Sequence, residues 1–277
     1  MQAPRLWVRL ARDRSAIVGL SIVTMLTLVA VAAPWLAPAD PLRGSLNESL
    51  QAPSASFWLG TDVQGRDILT RVLFGARLSL AVGLVSQSVA SLLGLVLGLL
   101  AGYYGRWVDA VLMRLADVTL AFPSLLLLIA IAAAVTPSLP LVFVVIGIVG
   151  WAGMARLVRG QVLALRGLDY VQAARALGAR DARILSRHLL PGVLAPVTVA
   201  ATLGVGGAIM AEAALSFIGL GAQPPTPSWG AMVADGRDLL RVAPWVSLIP
   251  GLAIGLTVLG MNLLGDGLRD ALEVRTA

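Results

Sequence analysis

Tyr170 to Gly192 reads YVQAARALGARDARILSRHLLPG and holds Arg175, Arg180, Arg183, Arg187 and the chain's only histidine, His188. Guanidinium groups bind carboxylates and phosphates, but they stay protonated and cannot act as nucleophile or base near neutral pH. The usual catalytic donors are missing. With no cysteine there is no thiolate nucleophile, thiolate metal site or disulfide, and no HExxH, GxSxG or cluster of acids occurs. All 21 basic residues are arginine, so a GxxxxGK[ST] phosphate loop, whose lysine reaches the nucleotide, is excluded. His188 has no Cys or acidic cluster beside it and makes a poor metal site. Catalytic, cofactor-binding and metal residues are therefore all expected to be none, and energy for any work must come from outside this chain. The remaining candidate is Glu212, the only carboxylate within or bordering the fifth apolar run. An acid there is costly enough to mark a pathway or gate, or a structural pairing.

The elements that position these residues follow from hydropathy. The chain is 58% hydrophobic and only 13% charged, against about 25% charged in soluble domains, and its mean hydropathy is +0.86. This is an all-α membrane protein. Six runs approach the roughly 20 residues needed to cross a bilayer, at about Ile17–Leu36, Leu78–Ala101, Val118–Val135, Leu139–Gly153, Val193–Leu215 and Ala243–Leu264. The third and fourth are separated by Thr136 to Ser138 and flanked by Pro137 and Pro140, which predicts a hairpin of two spans. With six spans, one side holds 15 of the 21 arginines: Arg5, Arg9, Arg12, Arg14, Arg106, Arg114, the seven between Met154 and Pro191, Arg269 and Arg275. The positive-inside rule then places both termini in the cytoplasm. Trp35, Trp107, Trp151 and Trp245 fall at or near predicted span ends, as interfacial rings should. A net charge of +6 is thus read as orientation and contact with membrane lipid, with no nucleic-acid partner. A signal peptide is the competing reading of the N-terminus, but the first run is too long and Pro34 follows Ala33 where cleavage would fall.

The fourth and fifth spans are joined by Met154 to Pro191, with seven arginines and two aspartates. Arg180, Arg183 and Arg187 recur at helical spacing, with Ala182, Leu185 and Leu189 nearly opposite, which predicts an amphipathic surface helix. Asp169 to Leu177 is a shorter helix with Asp169 suited to the N-cap and Gly178 to the C-terminal end. Two helices with a Gly joint, ending at Pro191, make a compact knob, and Ala173 and Ala174 keep its surface small-sided.

AARALG (Ala173 to Gly178), followed by Leu190 and Pro191, resembles the EAA loop of bacterial ABC importer permeases, with Gln172 in place of the leading Glu. That replacement loses a carboxylate and any ion pair it would make to the ATPase. Four further blocks, WLGTDVQGRDILTRVLFGARLSLAVG (Trp58 to Gly83), AGYYGRWVDAVLMRLADVTLAFPSLLL (Ala101 to Leu127), EAALSFIGLGAQPPTPSWG (Glu212 to Gly230) and NLLGDGLRDAL (Asn262 to Leu272), are similar to the C-type permease subunit of dipeptide, oligopeptide and nickel importers. The resemblance covers nearly the whole chain. It implies a type I importer permease fold in the bacterial inner membrane. One expects a second related permease, two cytoplasmic ATPases that bind ATP and Mg, and an extracytoplasmic binding protein. The coupling loop would comprise Gln172, Ala173, Ala174, Arg175, Gly178, Arg180, Arg183, Arg187, Leu190 and Pro191. The implied layout is residues 1–77 for the first helix and an extracytoplasmic scoop, 78–267 for the permease core with coupling loop 154–191, and 268–277 for a cytoplasmic tail. The implied mechanism is alternating access driven by ATPase closure on the loop.

Several features admit two readings. The arginine face fits an ATPase groove or anionic lipid. Gly94, Gly98 and Gly102 form a small-residue ladder for packing inside the bundle or against another subunit. Asp117 can pair with Arg114 three residues earlier. The Ala37–Arg77 connection is neutral, and its GTD and GRD turns predict an ordered scoop, against which the proline-rich 219–230 connection packs unless it faces the binding protein instead. Two other function classes compete with the importer subunit. A self-contained secondary transporter would want ionisable groups at broken helices near mid-membrane, and the span centres hold almost none. A membrane enzyme would need the constellation already found missing.

Overall fold

Capping residues and prolines set the helix boundaries in the computed structural model, which describes residues 10–11, 13–135 and 138–272. Arg5, Arg9, Arg12, Thr136, Pro137 and Arg275 lie outside the described residues. Asp13 caps α1 (Arg14–Leu36) by accepting from the Ala16 amide. Asp67 caps α2 (Ile68–Tyr104) by accepting from the Thr70 amide at 2.7 Å, and Gly105 at φ +65° ends it. The helix that carries the span expected from Leu78 starts earlier, at Ile68, with polar Thr70 and Arg71 buried within the protein. Its 37 residues rise about 55 Å, well beyond the hydrocarbon layer.

The third span departs from expectation. In place of one crossing over Val118–Val135 there are α3 (Arg106–Ala121) and α4 (Ser124–Ala134), bent by 91°. Pro123 explains the break: it has no amide hydrogen and its ring excludes the helical carbonyl four residues earlier. Asp117 pairs with Arg156 of the helix 139–165 rather than with Arg114, and Asp109 takes a two-pronged ion pair from Arg159 at 2.5 and 2.6 Å. These two bridges seat α3 across α5 (Leu139–Leu165). Because α5 continues to Leu165, the segment Met154–Leu165 belongs to a helix and not to the connection, and Trp151 falls within the helix rather than at its end.

α6 (Asp169–Ala176) follows, then α7 (Asp181–Arg183), a π-helical stretch Ile184–Leu189 and α8 (Leu190–Phe217), which run on as one 37-residue helix. The chain closes with α9 (Trp229–Gly236) and α10 (Trp245–Leu272). Five helical runs (α1, α2, α5, α7–α8 and α10) are long and apolar enough to cross a membrane, and the bent α3–α4 pair is the sixth candidate. The described residues form no strand, only an isolated Thr61–Asp67 bridge.

Small residues let the helices approach. A Cβ on Gly94 would lie 2.5 Å from the Met154 Cβ, and one on Gly98 would lie 2.6 Å from the Ala155 carbonyl. A Cβ on Gly102 would meet the Val162 Cβ at 2.7 Å. The ladder is therefore filled by α5 of the same chain, where close packing rather than water exclusion holds helices together in lipid. At the start of α2 the 37–67 connection is folded as expected. Asp62 accepts from the Gln64 and Arg66 amides, from Arg66 Nε at 2.6 Å, and from Arg71 Nη1. Trp245 of the last helix donates to the Thr61 carbonyl at 3.2 Å and Trp229 to the Val72 carbonyl of α2 at 3.0 Å, so the scoop packs on the last helix and the 219–230 connection on α2.

Candidate functional site

The opposite end of α2 meets the arginine-rich connection. α6 begins with Leu168 at the N-cap and Asp169 in its first turn, one residue off the expected cap, where a carboxylate still complements the helix dipole. Its end is a Schellman turn: the Gly178 amide donates to the Arg175 carbonyl and the Ala179 amide to the Ala174 carbonyl, both at 3.0 Å. Gly178 sits at φ +79° with open space around it. Glycine is required there for its backbone conformation, not to avoid a clash.

Arg180 then caps the three-residue α7, and the chain passes into the π stretch. Pro191 accounts for the widening. Lacking an amide hydrogen one turn inside a continuous helix, it disrupts the regular ladder toward residue 187, and a π turn relieves the crowding. The widened turn shifts the buried positions. Ile184 and Leu189, five apart, are fully buried, while Leu185 is half-buried and Ala182 exposed. The apolar face expected at Ala182, Leu185 and Leu189 is thus replaced by Ile184 and Leu189, and the segment is the root of α8 instead of a separate surface helix. Arg180 and Arg183 stand at the solvent side with Arg187, Leu190 is half-buried and Pro191 exposed.

Val171, Ile184 and Leu189, each 0% exposed, form one cluster with Tyr103, Val158, Val162 and Val193, so the knob is bedded on α2, α5 and α8. Polar contacts lock the same joint. Tyr103 Oη donates to Asp181 Oδ1 at 2.6 Å, and the Arg175 guanidinium lies 5.5 Å from the Tyr103 ring centroid. Tyr170 Oη donates to the His188 carbonyl at 3.3 Å. Gln172 Nε2 donates to the Arg166 carbonyl at 2.9 Å, while Arg166 Nη1 donates to the Gly102 carbonyl at 2.9 Å. Gln172 therefore closes off the end of α5, a bond a glutamate could not donate.

What faces outward is a small-sided ridge. Gln172, Ala173, Arg175, Ala176 and Gly178 are exposed, Ala174 half-exposed, and Leu177 is 88% exposed at the tip. Leu177, Tyr103, Ile184 and Asp181 were not singled out from sequence. The first could have been found as the lone large apolar residue in AARALGAR; the Tyr103–Asp181 contact joins residues too far apart in the chain for any local signal.

Glu212 stands at the other end of the bundle. It is 1% exposed, accepts from Ser216 Oγ at 2.6 Å, and its second oxygen has no hydrogen-bond partner among the described residues. Ser216 in turn accepts from the Ala222 amide, so the carboxyl group faces the 219–228 turn rather than open space.

Residues 94–277 match the family described as binding-protein-dependent transport system inner membrane component, and residues 4–53 match the N-terminal TM domain of oligopeptide transport permease C. The chain is 49% identical to the dipeptide transport system permease protein DppC of Alkalihalophilus pseudofirmus over 96% of this chain and 87% of that protein. It is 46% identical to the glutathione transport system permease protein GsiD of Pectobacterium atrosepticum, covering 96% and 89%. Among solved structures, an inward-facing MetNI methionine ABC transporter aligns with TM-score 0.59 at 19% identity over 74% of this chain and 97% of that one, a likeness of fold alone. The chain belongs to the inner-membrane permease family of binding-protein-dependent transport systems, and is a multi-pass inner-membrane protein.

Proposed function

We propose that this chain forms half of a peptide translocation pathway, with a related permease as the other half. The knob of residues 169–191 is the handle by which one of two cytoplasmic ATPases moves this half, the other acting on the related permease. A binding protein delivers cargo at the scoop end, both termini are cytoplasmic, and ATP and Mg are bound by the ATPases alone. The observation that carries the reading is the knob itself. Its underside is fixed by Val171, Ile184 and Leu189, and its top presents Leu177 with no cover from the described residues. A lever must be stiff where it joins the spans and sticky where it meets its partner. A partner shifts the conformational equilibrium only by binding the two states differently. The di- or oligopeptide cargo is supported by the names of the 49% and 46% identical relatives, a dipeptide and a glutathione permease; a nickel complex or another small solute belongs to the same class of cargo. A self-contained secondary transporter is not favoured: the break at Pro123 does produce a bent span, but the acid beside it, Asp117, is paired with Arg156.

The test is Leu177→Asp in the complete transporter. The variant should insert at normal yield and lose ATPase association by about 10-fold or more, as expected when an anchor worth at least about 1.4 kcal/mol is replaced by a charge. Normal recovery of the ATPase with this variant would overturn the docking role.

A further inference from the structure

Near the midpoints of the two 37-residue helical runs, Ile68–Tyr104 and Asp181–Phe217, the seam between α2 and α8 opens into a groove of about 310 Å³. Its lining is unusual for membrane depth. Alongside Leu84, Val197 and Val205 it contains Gln87, Ser88, Ser91, Thr198 and Thr202, with Ser88 and Thr198 exposed. No aspartate, glutamate or arginine among the described residues lines it.

The hydrogen bonds leave a defined surplus. Ser88 Oγ donates to the Leu84 carbonyl at 2.7 Å, Thr198 Oγ1 to Leu194 at 2.8 Å and Thr202 Oγ1 to Thr198 at 2.9 Å. Their hydrogens are used inside the helices, while the oxygen lone pairs remain free to accept. Gln87 Nε2 donates to Ser91 Oγ at 3.0 Å, leaving the amide a second N–H. The Gln87 side chain lies across the seam against Gly204, where a Cβ would come within 2.3 Å of Oε1. A carboxamide held half-exposed at this depth faces hydrocarbon only at considerable cost, so the face it occupies belongs to water or to a polar occupant.

We infer that the α2–α8 groove is the wall of the translocation pathway contributed by this chain, and that it contacts the peptide backbone of the cargo. The free acceptors of Ser88, Thr198 and Thr202 match backbone N–H donors, and the spare N–H of Gln87 matches a backbone carbonyl. A wall without charge does not sort cargo by side-chain charge. This rests on the peptide-importer reading, of which it specifies the cargo contact.

The chain contains no cysteine, so single substitutions Ser88→Cys and Thr198→Cys can be read without background from it. The complete transporter is reconstituted in vesicles with its binding protein. A membrane-impermeant methanethiosulfonate is added with ATP and vanadate, and Leu28→Cys on the apolar outer face of α1, where the native leucine is 63% exposed, serves as the lipid-facing control. Both groove cysteines should react at least about 10-fold faster than the control in one state of the cycle, and a dipeptide delivered by the binding protein should slow them. Gln87→Leu should lower maximal uptake several-fold for acidic, basic and neutral dipeptides alike. Groove cysteines that react no faster than the control, or that cross-link to the second permease without reacting with the reagent, would overturn the assignment. So would a Gln87→Leu defect confined to one cargo charge. ATP-driven dipeptide uptake by the unmodified transporter is measured in the same vesicles. Its absence would remove the importer reading, whereas normal uptake with unreactive cysteines would remove only the groove.

Discussion

Gln172 shows what one residue can hide. In the family pattern the position is acidic, and its replacement suggests a lost ion pair, yet the exposed amide turns back along the chain and donates to the Arg166 carbonyl at 2.9 Å. Gln172→Glu exchanges that donor for a carboxylate and should cost about 1 kcal/mol locally. Hydrogen exchange of purified transporter should then show faster exchange over 166–176, and unchanged exchange would mean the bond contributes nothing. Gly178 is a second case. Its surroundings are open, so Gly178→Val meets no clash, but it forces a β-branched residue to φ +79°, at about 1–2 kcal/mol. The expected result is loss of the Schellman turn and weaker ATPase association with normal insertion; full ATPase recovery with this variant would show that the turn is not needed for docking. The glycine was legible in the sequence as a helix end; the bond of Gln172 back to Arg166 was not, because donor direction depends on the turn between α5 and α6.

At the scale of elements, the five long apolar spans were legible from hydropathy, and the first helix of the knob from its Asp169 and Gly178 ends. The bend at Pro123 and the π turn before Pro191 were not. A proline marks where a helix is perturbed, but whether the chain breaks by 91° or merely widens depends on what holds the flanking turns. Around Pro123, Asp109 and Asp117 tie α3 to α5; before Pro191, Ile184 and Leu189 keep the helix axis on its bed. The Gly94–Gly98–Gly102 ladder was readable as a close approach, though not which helix filled it. Since a Cβ at Gly98 would lie 2.6 Å from the Ala155 carbonyl, Gly98→Val should destabilise α2–α5 packing by about 1–3 kcal/mol. A lower thermal aggregation midpoint in detergent would show this, and an unchanged midpoint would argue that the helices separate freely.

For the whole molecule, the two ends are built differently. The end of the scoop is a folded cap centred on Asp62, whose side chain is 2% exposed and which holds Arg66 and the 5%-exposed Arg71. Removing one member of a buried pair costs about 3–5 kcal/mol, so Asp62→Ala should sharply reduce yield and heat resistance. Asp235, 48% exposed and 3.9 Å from both arginines, is a useful contrast. Burial pushes its carboxyl group above the usual aspartate range, with Arg71 and Arg66 opposing. The fold therefore favours its ionised form less than the unfolded chain does, and Asp235→Asn should be neutral or slightly stabilising in the same assay; a loss as large as that of Asp62→Ala would contradict this. The knob end instead combines a rigid underside with an exposed crest, as transmission of force between subunits requires.

In the proposed mechanism the crest at Leu177 sits in a cleft of a cytoplasmic ATPase. With no cysteine in this chain, Leu177→Cys can be paired with single cysteines placed along the ATPase surface and oxidised in inverted membrane vesicles. A high-yield disulfide to residues lining one cleft, and none to the opposite face, is expected. Absence of any cross-link to the ATPase, together with reaction of the introduced thiol with an impermeant reagent applied to intact cells, would contradict it.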